Sequence, residues 1–309
     1  LPKAGVRLNY EIPRFRSLLI KSARRISKLP SGPYKEALIK IDERWNEIKY
    51  WAAIKRNTSS FTSHYFLKSF DLEYSENNEI KLKPDDSRIY INILMRTIWI
   101  SFLITVLCLI LGYPVAYFLA TQPPERTAIF MFFVLVPFWT SLLVRTLAWV
   151  VLLQEHGVIN DTLIWLGISE ERFRLVFNRP GLIIAMTHVL LPFMILPIFS
   201  VMKRIDPHYM KAAKSLGAHP VIAFITIYIP LSKAGIGAGS LLVFILAVGY
   251  YITPELVGGP GDQFISHYIA SFTNELLNWG QASALAILLL VTIIALFTVF
   301  SRYMKVGET

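Results

Sequence analysis

Charged residues are scarce in this sequence of 309 residues: they make up 17% of the chain, whereas apolar residues make up 54%. A soluble domain usually carries about 25% charged residues. The apolar residues are also clustered in long runs instead of being spread along the chain. This composition excludes an ordinary soluble domain and predicts a membrane protein.

Motifs for catalysis and for binding of metals, phosphate or nucleic acid are also lacking. The single cysteine, Cys108, lies inside an apolar run, so the chain has neither a disulfide framework nor a cysteine-based metal site. The sequence contains no G-x-x-x-x-G-K-[ST] phosphate loop and no H-E-x-x-H pair, and its six histidines are scattered. The net charge of +10 comes without a nucleic-acid-binding motif. We therefore expect no catalytic residue, no metal, no cofactor and no nucleic-acid partner.

Long apolar stretches dominate what is present. A membrane-spanning helix needs roughly 20 apolar residues, and five stretches are long enough: 92–120, 128–153, 181–202, 222–250 and 283–301. The second and fourth contain glycine or proline, so part of each is expected to lie outside the lipid. The sequence predicts an all-α, polytopic helical bundle with a transmembrane domain over residues 91–305.

The loops between these stretches differ in positive charge, and lysine and arginine favour the cytoplasmic side. The loop 251–282 contains neither residue type, which predicts that it lies outside. Positive residues elsewhere place the loop 203–220 and the C-terminal tail inside: Lys203, Arg204, Lys211, Lys214, Arg302 and Lys305. Counting spans then places residues 1–90 outside, in the periplasm.

Residues 1–90 are predicted to form a small, mainly helical extracytoplasmic region. Two sets of apolar residues have helical spacing: the first contains Phe15, Leu18, Leu19, Ala23 and Ile26, and the second contains Leu38, Ile41, Trp45, Ile48 and Ala52. Export of this region requires a hydrophobic segment before it, and residues 1–30 contain none. We therefore expect a first transmembrane helix before Leu1.

A short helix is predicted over residues 206–218, between the third and fourth spans. Asp206 suits the N-cap, Pro207 the first helical position, and Gly217 the position after the helix end. Its apolar residues are expected on one face: Met210, Ala212, Ala213 and Leu216. A helix this short is unstable alone. The spans or a partner must therefore hold it in place.

The same loop resembles that of ABC importer permeases, which reads E-A-A, three residues, G, nine residues, I-x-L-P. Every spacing matches in this chain, with Lys211 in place of glutamate and Ile229 in place of leucine. Four further segments are similar to the B-type permeases of spermidine/putrescine importers: 111–114 (LGYP), 137–141 (PFWTS), 157–160 (GVIN) and 191–194 (LPFM). The resemblance covers roughly residues 88–305.

This resemblance implies a type I permease of the bacterial inner membrane with a cytoplasmic C-terminus. Its partners would be a homodimer of ATP-binding subunits, a second permease and a periplasmic solute-binding protein. ATP and magnesium would be bound by the ATPase and not by this chain. The residues that would form or support the coupling helix docking onto the ATPase are Lys211, Ala212, Ala213, Leu216, Gly217, Ile227 and Pro230. The implied solute is a polyamine.

Five residues are candidates for the solute pathway. Arg145 is costly inside a span and is therefore a functional candidate; the alternative is a structural pair with Glu155 or a partner subunit. Tyr250, Tyr251 and Glu255 lie in an outer loop broken by glycine and proline, and Trp139 offers another aromatic face. Carboxylates and aromatic faces both attract ammonium groups. The alternatives are an interfacial aromatic belt and a helix cap.

Other functions remain open from the sequence alone. The solute could be another small cation or an opine. A self-contained secondary transporter is a second alternative, although such proteins usually show two related halves and we find no internal repeat. A membrane enzyme is a third, but it would need clustered acid, base or metal-binding residues.

Overall fold

The computed structural model describes residues 2–26, 34–57, 62–75 and 79–306. The chain divides into two compact units between Ile91 and Asn92. The expected helix before Leu1 and the side chain of Lys305 lie outside the described residues.

The first unit is mainly helical. Its helices are α1 (Pro2–Glu11), α2 (Phe15–Ile26), α3 (Tyr34–Ile41), α4 (Ile48–Asn57) and α5 (His64–Ser69), with 3₁₀ turns at Glu43–Asn46 and Asp85–Ser87. An antiparallel pair of short strands, β1 (Leu72–Tyr74) and β2 (Ile80–Leu82), was not expected from the sequence. Phe15, Leu18 and Trp45 are buried at its centre.

The predicted helix through residues 38–52 is interrupted, so that prediction is wrong. The Asp42 carboxylate accepts a hydrogen bond from the Arg44 backbone N–H and caps a 3₁₀ turn, which ends α3. The break shifts the helical phase. Tyr50 and Ala53 are buried in α4, whereas Ile48 is 69% exposed.

Asp42 is held as a carboxylate by two cations. Arg44 donates at 2.9 Å and Lys21 at 2.8 Å. These bonds, with Arg44 the larger cause, hold the pKa of Asp42 well below its usual range. A lowered carboxyl pKa stabilises the folded state fully above the unfolded pKa of about 3.9. That contribution is lost as the pH decreases towards the folded pKa.

At neutral pH, Asp42→Asn should destabilise this turn by about 1 kcal/mol, because it removes both ion pairs and weakens the cap. Hydrogen exchange of peptides covering residues 43–53 should become about fivefold faster. The control is Asp85→Asn, which alters an exposed pair with Arg88 in the same unit and should leave this exchange unchanged. Equal exchange in wild type and Asp42→Asn would contradict the assignment.

The second unit is a bundle of long and short helices. These are α6 (Tyr90–Thr121), α7 (Pro124–Leu135), α8 (Leu142–Leu153), α9 (Val158–Trp165), α10 (Arg179–Met202), α11 (His208–Ser215), α12 (Pro220–Ala223), α13 (Ile229–Gly249), α14 (Ile252–Val257), α15 (Ile265–Asn274) and α16 (Trp279–Val306). Except for the first two residues of α6, all belong to this unit.

Five helical segments in the described residues are long and apolar enough to cross a membrane: Tyr90–Thr121, Leu142–Trp165, Arg179–Met202, Pro220–Gly249 and Trp279–Arg302. The predicted all-α membrane fold with five such segments is confirmed. The second segment differs from the predicted 128–153. Pro137 lies in a 3₁₀ turn at Val136–Trp139 that separates α7 from α8, so the continuous apolar run forms two helices.

The core of the bundle is the packing of α10 against α13. Met194 and Ile198 of α10 and Val243 of α13 are fully buried there. Gly235 permits the close approach of the two backbones, since a Cβ at this position would lie 2.9 Å from Ile198 Cα and 3.0 Å from the Pro197 carbonyl oxygen. Small residues at helix contacts are the usual means of tight packing in membranes.

Candidate functional site

The loop between α10 and α13 forms the short helix α11, here called the docking helix (His208–Ser215). Asp206 caps it, because its Oδ1 accepts a hydrogen bond of 2.8 Å from the His208 backbone N–H. The same oxygen lies 2.6 Å from His208 Nδ1. The bond from the backbone N–H, followed by that from the ring, holds the pKa of Asp206 below its usual range.

The C-terminal end of the docking helix is closed by a Schellman motif. The Gly217 N–H donates to the Lys214 carbonyl at 3.0 Å, and the Ala218 N–H donates to the Ala213 carbonyl at 3.0 Å. Gly217 has φ of +83°, a left-handed conformation that glycine adopts without strain. The glycine predicted to end the helix therefore occupies the position where its lack of a side chain is required.

The docking helix has two apolar faces. Met210 and Ala213 pack towards the bundle. Ala212 is exposed, and Leu216 is 88% exposed. The expectation that all four share one face is therefore wrong. Ala213 contributes to seating the helix on its own subunit, whereas Ala212 and Leu216, with the exposed Lys211, are available to a partner.

A turn of π-helix (Phe224–Tyr228) connects α12 to α13. The Ile229 N–H donates to the Phe224 carbonyl, five residues back, and Pro230, which has no N–H, follows directly. The docking helix packs against this turn. Phe224 and Tyr228 are stacked, with Tyr117 of α6 at 5.1 Å and 5.0 Å from their ring centres. Ile227 is half-buried within the turn.

Arg145 of α8 is half-buried and weakly bonded. Its Nη2 donates to the Thr140 carbonyl at 3.4 Å, and its buried Nε has no hydrogen-bond partner within the described residues. Glu155 forms no ion pair with it among those residues, so the intrachain pair considered from the sequence is wrong. Arg145 lies close enough to His188 and Tyr250 to act on both electrostatically.

His188 of α10 lies near Arg145, which the sequence did not indicate. Trp149 Nε1 donates to His188 Nδ1 at 3.1 Å. An indole nitrogen can only donate, so Nδ1 is the acceptor and Nε2 is left as the donor nitrogen. Only the fold brings Trp149 and His188 together, since they are 39 positions apart.

Glu255 of α14 borders a cavity of about 350 Å³. Its Oε2 lies 2.7 Å from His267 Nδ1 and accepts a 3.4 Å hydrogen bond from Gln263. Arg174 and Phe177 also line the cavity. The glycine- and proline-rich segment 250–260 thus folds around a carboxylate that remains 41% exposed. Nothing in the sequence indicated that His267 would be the partner of Glu255.

The structure groups only some of the five pathway candidates. Arg145 lies within electrostatic range of Tyr250, and Tyr251 lies at the start of α14, where its carbonyl accepts a hydrogen bond from the Glu255 N–H. Trp139 is 85% exposed in the turn between α7 and α8. No hydrogen bond or ring contact joins Trp139 to the other four within the described part of the chain.

Residues 97–306 match a family described as "Binding-protein-dependent transport system inner membrane component". The chain is 34% identical to the spermidine/putrescine transport system permease protein PotB of Escherichia coli K12 over 214 residues, which are 69% of this chain and 78% of that protein. The PotB protein of Haemophilus influenzae is 33% identical over 217 residues, covering 70% of this chain and 76% of its own length.

Solved structures share the fold. A bacterial alginate ABC transporter, in complex with an alginate pentasaccharide-bound periplasmic protein, contains a chain that matches with a TM-score of 0.61 and 16% identity, covering 98% of this chain and 99% of that one. A chain of the MetNI methionine ABC transporter matches with a TM-score of 0.55 and 14% identity, covering 70% of this chain and 95% of its own. At these identities the likeness concerns the fold alone.

Proposed function

Because the chain belongs to the family of binding-protein-dependent transport system inner membrane components, we propose that it forms one half of a polyamine translocation pathway. Its membership makes it a permease subunit of an ATP-driven importer in the inner membrane, with a transport and not an enzymatic role. The secondary transporter and the membrane enzyme are therefore no longer alternatives.

Polyamine as the solute is supported by the relatives and by the outer cavity. Two relatives above 30% identity are named as spermidine/putrescine permeases. Glu255 presents a partly exposed carboxylate at this cavity, and Tyr250 and Tyr251 lie in the same segment. Within the cavity, the Glu255 carboxylate and the Phe177 ring suit an alkylammonium chain, because both attract cations, whereas the Arg174 guanidinium opposes this preference.

Docking of an ATPase dimer is assigned to the exposed face of the docking helix. Leu216 and Ala212 provide an apolar contact and Lys211 a positive charge. A partner cleft that accepts them would combine an apolar floor with a carboxylate opposite Lys211. Movement of the ATPase pair would be transmitted through Ala213 and Met210, which pack on the bundle.

The proposed assembly contains a second permease and a periplasmic solute-binding protein. The docking helix and the C-terminus would lie in the cytoplasm, whereas the cavity beside Glu255 and residues 1–90 would lie in the periplasm. Lysine and arginine in the loop 203–220 and their lack in the loop 251–282 support this orientation.

Arg145 is assigned to the contact with the second permease and not to solute binding. A guanidinium repels a cationic solute, and burying it inside a membrane requires a partner group. The described residues of this chain offer only the Thr140 carbonyl. A carboxylate or carbonyl group of the second permease would satisfy the remaining N–H groups.

The solute assignment is tested by reconstituting the complete transporter with its binding protein in vesicles. ATP-dependent accumulation of labelled putrescine or spermidine is the expected result. Accumulation of an opine or another small cation in their place would overturn the polyamine assignment, while leaving the importer assignment intact.

In the same vesicles, Glu255→Gln should reduce putrescine uptake about tenfold, because one charge-assisted interaction with the solute is removed. Glu275→Gln is the matched control, since Glu275 follows α15 in the same loop region and is bonded to Ser271. It should transport like wild type. Unchanged uptake by Glu255→Gln would remove Glu255 from the pathway.

A further inference from the structure

The first unit contains a cavity of about 350 Å³. All of its lining residues belong to that unit, and it shares none with the docking helix or with the cavity beside Glu255. It lies among α1, α4, α5, β1 and the segment after β2. Its charged and titratable side chains are Tyr10, Glu11, Lys49, Arg56, His64, Lys68, Glu73, Tyr74 and Lys83. Lysine and arginine thus outnumber glutamate around it.

Two carboxylates line this cavity in the part of the chain that the structure describes, and one of them already has partners. Glu11 is almost completely buried and is paired with Arg56, whose Nε donates at 2.9 Å. Asn57 Nδ2 donates to its second oxygen at 2.5 Å. The Arg56 guanidinium also lies over the Tyr74 ring, 4.5 Å from its centre. This arrangement forms one wall of the cavity and commits both Glu11 oxygens to Arg56 and Asn57.

Three further basic side chains, those of His64, Lys68 and Lys83, line the same cavity. His64 and Lys68 are four residues apart on α5 and therefore share one helix face. Lys83 approaches from the segment after β2. No ion pair joins Lys68 or Lys83 to a carboxylate within the described ranges. The buried Nε2 of His64 likewise has no hydrogen-bond partner there.

The electrostatics of these groups are unfavourable when the cavity holds no anion. Burial lowers the pKa of Lys68, and the nearby Lys83 charge lowers it further. Burial is also the main cause that lowers the pKa of His64, with Lys68, Arg56 and Lys83 adding to it and Glu11 opposing it. Like charges brought together at a partly buried site are stabilised by an anion between them.

We propose that this cavity binds a phosphate group through Lys68, Lys83 and His64. The two ammonium groups supply charge and the imidazole N–H supplies a directed donor. The second carboxylate, Glu73, is exposed at the strand and does not pair with either lysine. The cavity is larger than a phosphate ion, so an organic phosphate also fits.

The test is hydrogen exchange of the purified transporter, read in peptides covering residues 62–75. Phosphate bound by the ATPase does not contact these peptides, so the readout is local. Sodium phosphate is titrated in detergent, with sodium chloride keeping the ionic strength constant. Saturable protection is the expected result. Protection that fails to saturate, or that chloride reproduces, would overturn the proposal.

Three lysine variants distinguish phosphate binding at this cavity from nonspecific attraction to surface charge. Lys68→Met and Lys83→Met should each weaken phosphate protection about tenfold, since each removes one charged donor. Lys81→Met, on the exposed strand β2, should change it less than twofold. If Lys68→Met fails to fold, Lys83→Met provides the same test. Equal losses in all three variants would show nonspecific attraction and reject the site.

A second experiment distinguishes a free phosphate compound from a lipid headgroup as the source of the phosphate group. The transporter is placed in nanodiscs of phosphatidylcholine with or without phosphatidylglycerol. Protection by inorganic phosphate in detergent, unaffected by phosphatidylglycerol, identifies a free phosphate compound as the ligand. Protection by phosphatidylglycerol that Lys83→Met abolishes identifies a lipid headgroup. Succinate binding as tightly as phosphate would reject phosphate as the preferred group.

Discussion

Gly217→Val should reduce ATP-driven uptake at least tenfold, while the subunit still assembles in the membrane. Gly217 has φ of +83°, and a β-branched residue in this conformation costs about 1–2 kcal/mol. No atom lies within 4 Å of the added Cβ. The effect therefore comes from the backbone, which must leave the Schellman motif and reorient Leu216.

A matched control exists in the same chain. Gly167 has φ of +69°, also has open space around its Cβ, and closes α9 with the same pair of hydrogen bonds. Gly167→Val imposes similar strain far along the chain from the docking helix. Its uptake should remain within about twofold of wild type. Uptake and co-purification of the ATPase are measured for both variants, and equal losses would show that general destabilisation, not docking, explains the result.

Gly235→Val should prevent stable folding of the bundle. A side chain at this position meets backbone atoms, Ile198 Cα at 2.9 Å and the Pro197 oxygen at 3.0 Å, and these cannot move as a flexible side chain can. Overpacking of this kind costs about 1–3 kcal/mol and sometimes more. We expect several-fold less folded protein in the membrane and a lower midpoint of thermal unfolding in detergent.

Gly249→Val is the control that tests whether the loss of folded protein depends on the contact between α10 and α13. Gly249 ends the same helix α13, and a Cβ there meets no atom within 4 Å. It should accumulate and unfold like wild type. If Gly235→Val accumulated equally well, the close packing of α10 on α13 would not be a determinant of the fold.

The number of spans and the positions of four of them could be predicted from the sequence, because their signal is length and apolar composition, which need no knowledge of contacts. The second was misplaced because composition does not show the break at Val136–Trp139. The docking helix could also be predicted. Asp206 and Gly217 act on backbone groups within a few residues of themselves, so local chemistry specifies both ends of this helix.

Features that depend on long-range contacts could not be predicted. The sequence analysis grouped Ala212 and Ala213 on one face, although adjacent helical positions point about 100° apart. The packing of the docking helix decides which of the two meets the bundle, and only Ala213 does. The partners of Glu255 and His188 come from distant positions. The break at Asp42 could have been found, since aspartate is a frequent N-cap, but a strong apolar pattern across it obscured the signal.

The π turn at Phe224–Tyr228 has a further consequence, because the number of residues in this turn sets the direction in which the docking helix faces. A π turn holds one residue more than the α-helix needs, and each α-helical residue corresponds to about 100° of rotation. A chain shorter by one residue here could continue as plain α-helix, with Leu216 turned away from its present direction by about that angle. Homologues could therefore re-aim the same contact surface by insertion or deletion, without changing a single side chain on it.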